Sequence, residues 1–388
     1  MNDHAVGRLQ ALPFVVACLV SSGLVLSAPF VGRIRGQIRA AFPGQFVTIV
    51  GGVIAIAIGA ALLLAIVRIR GRERRRLRYA LLVSSLAFGT AYSYATRTGN
   101  PEVDAVEHFH FVSYGLITLL FYRAWRPLGD GAIYVLPVLS ALIVGALDEW
   151  FQWFIPNRIG ELRDVFLNAA AIATGLLFSL GLDPPGRFTW KAGPQSSLRI
   201  RRVLAATVAT LAAFVYIVHL GHDVRDGDRA FRSIYTAEEL DGLAARRAAR
   251  WRNDPPIELK RLSEEDQYMS EGVWHVQRRN RAWQAGDAAT AFEENLILER
   301  FYAPVLDTPS YVSRTGHRWS SDHRADAEAR ARRAVPVRRQ YVSDANTYPI
   351  FTWSRRVFVA CTGALLLVTL GPTLRRRRQH ADPRLTSA

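Results

Sequence analysis

Apolar residues in this chain come in long blocks separated by short polar links. Eight windows of roughly twenty mostly apolar residues can be marked, about the length that a helix needs to cross a bilayer. They run from Leu12 to Val31, Phe46 to Val67, Tyr79 to Ala95, Phe109 to Trp125, Ala132 to Trp150, Val165 to Leu182, Val203 to Leu220 and Val357 to Leu374. The third and fourth carry the most polar groups. Between the seventh and eighth lies a stretch of different character, rich in helix-start signals. Thr236-x-x-Glu239 is a capping box, Ser263-x-x-Asp266 a second start, and Asp287 an N-cap after Gly286. Trp274 to Trp283 and Ala288 to Phe301 together have the form of one tetratricopeptide-like hairpin, a unit that needs neighbours to bury its faces. From Pro309 to Pro336 the chain is polar and rich in Arg, Ala and Asp, the composition of a loosely packed helix or a disordered segment. The expected fold is all-α: a polytopic membrane helix bundle of about eight spans with a mainly helical extracytoplasmic domain.

Charge sets the expected orientation. The chain is half hydrophobic and formally carries +16. Between Gly221 and Trp353 there are 21 Lys/Arg and 21 Asp/Glu, so the excess, 28 basic against 12 acidic residues, lies in the apolar part. It gathers in short links: Arg68 to Arg78, Arg187 to Arg202, and Arg375 to Arg378. The positive-inside rule puts these links and both termini in the cytoplasm and 221–353 outside. Arg33, Arg35 and Arg39, in the first link, oppose the scheme and are outvoted. Nucleic-acid binding through Arg68 to Arg78 is set aside, because those arginines are wedged between two apolar spans as topology signals are. The N-terminus has the outline of a signal peptide, but Leu26 spoils the small-x-small pattern before Ala28, and a retained first span is expected.

Costly polar groups concentrate in three neighbouring spans. Glu107, His110, Tyr114 and Thr118 recur every three or four residues and so share one helical face. Ala141, Gly145, Asp148 and Gln152 do the same on the next span, and Asp164, Asn168, Ala171, Gly175 and Ser179 on the one after. Three such stripes would pack together, with their charged ends at one side of the membrane. The same groups could serve only as inter-helix hydrogen bonds that hold a bundle. Against that stands their density: Glu107, His108, His110, Asp148, Glu149, Arg158, Arg163 and Asp164 all fall at three helix ends.

The run Val-Glu107-His-Phe-His110-Phe-Val-Ser-Tyr114-Gly, followed by Asp148-Glu149-x-x-Gln152-Trp-Phe-Ile-Pro156-x-Arg158 and Arg163-Asp164-Val-x-x-Asn168, resembles the VanZ-like family of small bacterial membrane proteins. The resemblance covers roughly Pro101 to Leu182. It implies a fold module, an envelope setting and an association with low-level teicoplanin resistance, and no reaction. Asn157 stands where the family often has Gly, which keeps a left-handed turn available. Ala171 replaces a Gly.

The expected domains are 1–100, three spans with a basic cytoplasmic loop; 101–182, the VanZ-like core; 183–220, a cytoplasmic link and seventh span; 221–353, the extracytoplasmic domain; and 354–388, the eighth span and basic tail. The expected binding set is Glu107, His110, Tyr114, Asp148, Glu149, Gln152, Arg158, Arg163, Asp164 and Asn168. It would take a lipid-linked glycan or a glycopeptide in a bacterial cytoplasmic membrane, while 221–353 meets wall polymer or a protein partner. The alternative is a membrane enzyme with His110 as general acid or base and Glu107 or Asp148 orienting it.

No cofactor, metal or nucleic acid is expected. Cys18 and Cys361 lie inside spans, and no phosphate-binding loop, dinucleotide fingerprint or nucleophile elbow occurs. His219-x-x-His222-Asp223, and His317 and His323 with Asp322 and Asp326, have too few supporting ligands for a metal centre. The orientation is checked by cysteine labelling in a chain lacking the native thiols. Ser310→Cys should react with an impermeant reagent applied outside whole cells, and its protection would overturn the scheme.

Overall fold

The computed structural model describes residues 3–155, 160–253, 264–307, 316–334, 340–346 and 349–381. The chain divides into two compact units: Met1–Gln152, Gly160–Phe214 and Val359–Ala388 form one, and Trp153–Ile159 and Val215–Phe358 the other.

The first unit is built from long helices: α1 (Asp3–Ala41), α2 (Phe46–Ile69), α3 (Arg75–Ala95), α4 (Pro101–Trp125), α5 (Ala132–Trp153), α6 (Leu162–Leu182), α7 (Pro194–Phe214) and α13 (Arg355–Ala381), of which α5 and α13 are placed mostly within it. Five helical stretches among the described residues are long and apolar enough to cross a membrane: Ala11–Ala41, Phe46–Ile69, Ala132–Trp153, Leu162–Leu182 and Pro194–His219. The more polar third and fourth windows become α3 and α4, helices that lie outside this set. Leu19, Ile56, Leu64, Val67 and Val83 stand exposed, a surface suited to hydrocarbon rather than water. This is an all-α membrane protein.

Local chemistry sets the helix ends. Asn100 accepts from the Glu102 and Val103 amides, 3.0 and 3.4 Å away, and Pro101 occupies the first turn, so the expected turn is the N-cap of α4. Asp183, followed by two prolines, ends α6. The bundle sorts its links to two ends. At one, Arg78 donates to the Leu182 carbonyl at 2.8 Å, Arg126 pairs with Asp183 at 2.8 Å, and Asp130 accepts from the Gly193 amide at 2.8 Å. At the other, Arg39 pairs with Glu102, and Arg163 with Glu107. Successive helices from α3 to α6 therefore alternate in direction, and the basic links flanking α3 and α6 share an end. Arg39 of the dissenting first link also lies over the Phe46 ring, 5.1 Å from its centroid.

Tyr114, Ile117, Phe121, Ala141 and Ala171 form the bundle's main core with Ala17 of α1. Helices α4 and α6 approach closely. A Cβ on Gly175 would lie 2.8 Å from Gly115 Cα and 3.0 Å from its carbonyl oxygen, so no side chain fits between the two backbones.

The second unit is mainly helical, as expected, and adds a small sheet. A π-helical turn (Val215–His219) leads into β1 (His222–Asp226) and β2 (Arg229–Ser233), an antiparallel hairpin closed by Gly227 at φ +57°, and β3 (Tyr341–Val342) pairs parallel with β2. Around it pack α8 (Ala237–Asn253), α9 (Glu264–Gln284), α10 (Ala288–Phe301), α11 (Ala303–Asp307) and α12 (Ser321–Ala334). The Thr236–Glu239 capping box forms in both directions, at 2.7 and 3.2 Å, and Asp287 accepts from Thr290 N at 3.0 Å. Ser263, the start of the other expected capping box, lies outside the described residues. The expected hairpin is α9 and α10, with Tyr268, Val276, Leu298, Phe301 and Tyr302 packed on Val224 and Phe231 of the sheet. A buried Glu294 accepts from His275 at 2.7 Å, from Tyr341 and from Ser343, which ties β3 to the hairpin; those donors more than offset burial and hold its carboxyl below the usual range.

Overpacking supplies a test of the bundle. Gly175→Leu should lower stability by about 1–3 kcal/mol or prevent assembly. Gly51→Leu, where a Cβ meets nothing within 4 Å, should leave it unchanged. Equal melting of the two variants in detergent would refute the close α4–α6 contact.

Candidate functional site

Three helix ends meet at the end of the bundle opposite Asp183. Helical spacing predicts that the three stripes face one another, and they do. Tyr114, Thr118, Gly145, Asp148, Gln152, Asn168 and Gly175 are buried, with Glu107, His110 and Asp164 half-buried at their ends.

The interior holds a chain of hydrogen bonds and a neighbouring pair, joined by a ring contact. His110 Nδ1 lies 2.7 Å from Asn168 Oδ1, and Asn168 Nδ2 is 3.5 Å from Glu149 Oε1. Gln152 donates to the same carboxylate oxygen at 3.3 Å. An ionised carboxylate can only accept, so Asn168 presents its amide NH2 to Glu149 and its carbonyl to His110. His110 therefore donates through Nδ1, which leaves Nε2 as the basic nitrogen of the neutral ring. Tyr114 donates to Asp148 Oδ2 at 2.9 Å, and its ring stacks against His110 with centroids 6.0 Å apart and planes 11° apart. Gly145 makes room for this arrangement. A Cβ there would sit 3.2 Å from Asn168 Cβ and 3.5 Å from Tyr114 Cε1.

The rim is differently built. Arg163 pairs with Glu107 at 2.7 Å; the guanidinium is half-exposed and the carboxylate largely covered. A shallow crevice too tight to hold a water molecule lies beside Glu107, lined by Ser93, Thr96, Asp104, His108, Phe111 and Leu167. Asp104 is bound to the Thr98 amide and hydroxyl, at 2.9 and 2.7 Å.

The structure thus brings Glu107, His110, Tyr114, Asp148, Glu149, Gln152, Arg163 and Asn168 into two linked groups, with Asp164 at the rim. Arg158 lies outside the described residues. The His110 Nδ1 partner is Asn168, whereas the expectation for acid–base chemistry was Glu107 or Asp148 as the orienting group; those carboxylates hold Arg163 and Tyr114 instead. Among the described residues no hydroxyl or thiol is hydrogen-bonded to His110, and no three metal-ligating side chains gather. His219, read as half of a metal corner, is buried with Nδ1 donating to the Pro349 carbonyl at 2.8 Å.

Sequence reading missed Glu161, directly ahead of α6. Burial and the Asp164 charge push its carboxyl up to about 7, with Arg163 opposing and Glu107 adding to the rise. The available signal was its place three residues before Asp164, within one helical turn.

The fold and the site define a class: a helical membrane bundle with a buried, hydrogen-bonded polar cluster at one end. Residues 67–182 match the VanZ/LLP1 family model, so the segment from α3 to α6 that builds the cluster is VanZ-like. The match begins ahead of the Pro101 boundary and takes in α3 and the basic turn before it. No curated protein and no solved structure matches the chain.

Glu161 yields a pH test. A carboxyl whose folded pKa is raised from 4.5 to about 7 binds more protons folded than unfolded across that interval, so its contribution to stability falls as pH rises through it. The melting temperature of the parent relative to Glu161→Gln should therefore drop between pH 4.5 and 8. A difference independent of pH would show that Glu161 is not perturbed.

Proposed function

We propose that this is a protein of the bacterial cytoplasmic membrane whose VanZ-like cluster binds the polar part of a lipid-linked glycan, or of a lipoglycopeptide that mimics one, and so contributes to envelope stress tolerance or teicoplanin-type resistance. The observation that carries the reading is the contrast between the two tiers of the cluster. Inside, His110, Asn168, Gln152 and Glu149 are hydrogen-bonded to one another across three helices, and Tyr114 to Asp148, which holds these groups as a floor. At the rim, the half-exposed Arg163 guanidinium sits on Glu107 with planar donors suited to phosphate or carboxylate. Asp164 and Glu161 stand close enough to accept sugar hydroxyls. Loop charge supports a cytoplasmic position for both termini and an extracytoplasmic one for the site and for 221–353, which would meet wall polymer or a protein partner.

A second reading, an enzyme acting on the same class of substrate, is favoured by one observation. The Asn168 contact fixes His110 in a single tautomer with Nε2 available for proton transfer. Asn168 would then be the positioning residue, and Glu149 would hold Asn168.

The two readings separate by variant. If the site binds, Arg163→Ala should reduce the undecaprenyl-linked material that co-purifies with the protein by about tenfold, the scale of one lost charge-assisted contact, while His110→Ala keeps most of it. If the site is catalytic, His110→Ala should abolish turnover and leave the substrate bound. The functional-site reading fails if His110→Ala, Asp148→Asn and Arg163→Ala all assemble and protect cells as well as the parent. Replacing 221–353 with a short linker should abolish a recognition role and spare chemistry confined to the bundle.

A further inference from the structure

A cleft of about 650 Å³ in the second unit belongs to neither tier of the cluster. Its size lies within the range of small-molecule sites. Part of its lining is apolar: Trp153 and Phe154 at the end of α5, Ile217 and Leu220 after α7, and Ile234 and Leu243. The rest includes four charged residues, Glu238, Glu239 and Arg246 on α8 and Arg355 at the start of α13.

The charges differ in how far they are already committed. Glu239 is used in the capping box. Among the described residues Glu238 makes no hydrogen bond or ion pair, and Arg355 makes none either, its guanidinium lying over the Tyr216 ring at 5.6 Å. On α8, Glu238, Gly242 and Arg246 follow at four-residue intervals, so acid and base stand on one face about 12 Å apart. Between them Gly242 leaves a gap: a Cβ there would meet only the Arg246 guanidinium, at 3.8 Å.

The surroundings fix the depth. Trp153 is the last residue of α5, Ile217 lies in the π-helical turn that ends the seventh apolar stretch, and Arg355 opens α13. Tyr216, Phe351, Trp353 and Phe358 form a chain of ring contacts beside Arg355. Aromatic and arginine side chains of this kind collect where hydrocarbon gives way to headgroups.

We infer that the cleft holds a zwitterionic phospholipid, with its phosphate at Arg355 and Arg246, its ammonium at Glu238 and its upper chain methylenes against Trp153, Ile217 and Leu220. A headgroup with both charges fits a cleft that offers an unneutralised cation and an uncommitted carboxylate. A purely anionic headgroup would leave Glu238 facing no positive charge. This inference stands apart from the cluster's ligand.

The test uses the full chain in nanodiscs and a photoreactive phosphatidylethanolamine, with labelled peptides mapped by mass spectrometry. Labelling should fall at residues 153–154, 217–220 and 234–246. Unlabelled phosphatidylethanolamine should displace the probe about tenfold better than phosphatidylglycerol does, and inorganic phosphate should not displace it. Arg355→Ala should weaken labelling about tenfold, and Gly242→Trp, which fills the gap, should abolish it. Arg225→Ala, a cation outside the cleft, should change nothing. Glu238→Gln should keep binding but erase the preference between the two lipids. Labelling confined to other helices, equal displacement by the two lipids, displacement by inorganic phosphate, or indifference to both Arg355→Ala and Gly242→Trp would overturn the assignment.

Discussion

A carboxylate with no exposed surface inside an apolar bundle is stable only if donors are held against it, because charge desolvation otherwise costs several kcal/mol. Glu149 is in that position, fully buried beside a nearly buried Asp148. Its donors come from its own helix, through Gln152, and from α6, through Asn168. Asn168 is committed on both sides, since its carbonyl takes His110 of α4. One amide thus ties three helices in register. The small residues are the geometric complement: Gly145 admits Asn168 and Tyr114, and Gly175 lets α6 reach α4. Sliding any of the three helices by one residue would strand a buried charge, so the polar cluster and the packing of the bundle are one constraint.

That constraint separates what can change from what cannot. The inner hydrogen bonds run between buried or half-buried partners on three helices, which makes them a support. Glu161 sits where solvent and burial compete, and its charge state responds to small differences in surroundings, beside an Arg163 guanidinium that keeps its charge. A ligand arriving at the rim would meet adjustable groups on a fixed base, the arrangement that gives selectivity without a large structural change.

Most of the bundle was legible in the sequence because lipid imposes two simple signals: apolar length and the spacing of rare polar residues. The stripes on α4, α5 and α6 were readable by counting in threes and fours. Helix limits were less so. The last window understates α13, whose helix runs on past the apolar residues to Ala381, and Pro13 and Pro29 did not break α1. The pairing within the cluster was not legible, since spacing says that Asn168, Asp148 and Glu107 share an end and cannot say which of them His110 touches. In the second unit the helix caps were plain and the sheet was missed. Its five-residue strands carry one strong inward residue each, Val224 and Phe231, and the only sharp signal was the Asp-Gly pair at 226–227.

The segments through which the chain enters and leaves the second unit run side by side. Leu220 is bridged to Phe351, Gly221 donates to the Phe351 carbonyl and Phe351 to the His219 carbonyl, so the two strands lie about 5 Å apart. A domain whose two ends nearly touch can be accepted into a helical hairpin without prying the helices apart. It can also be lost again, or be joined through its own ends and reopened elsewhere, with little disturbance to either part. The segment between the seventh and eighth helices is in this sense a self-contained insert, entered and left at one point.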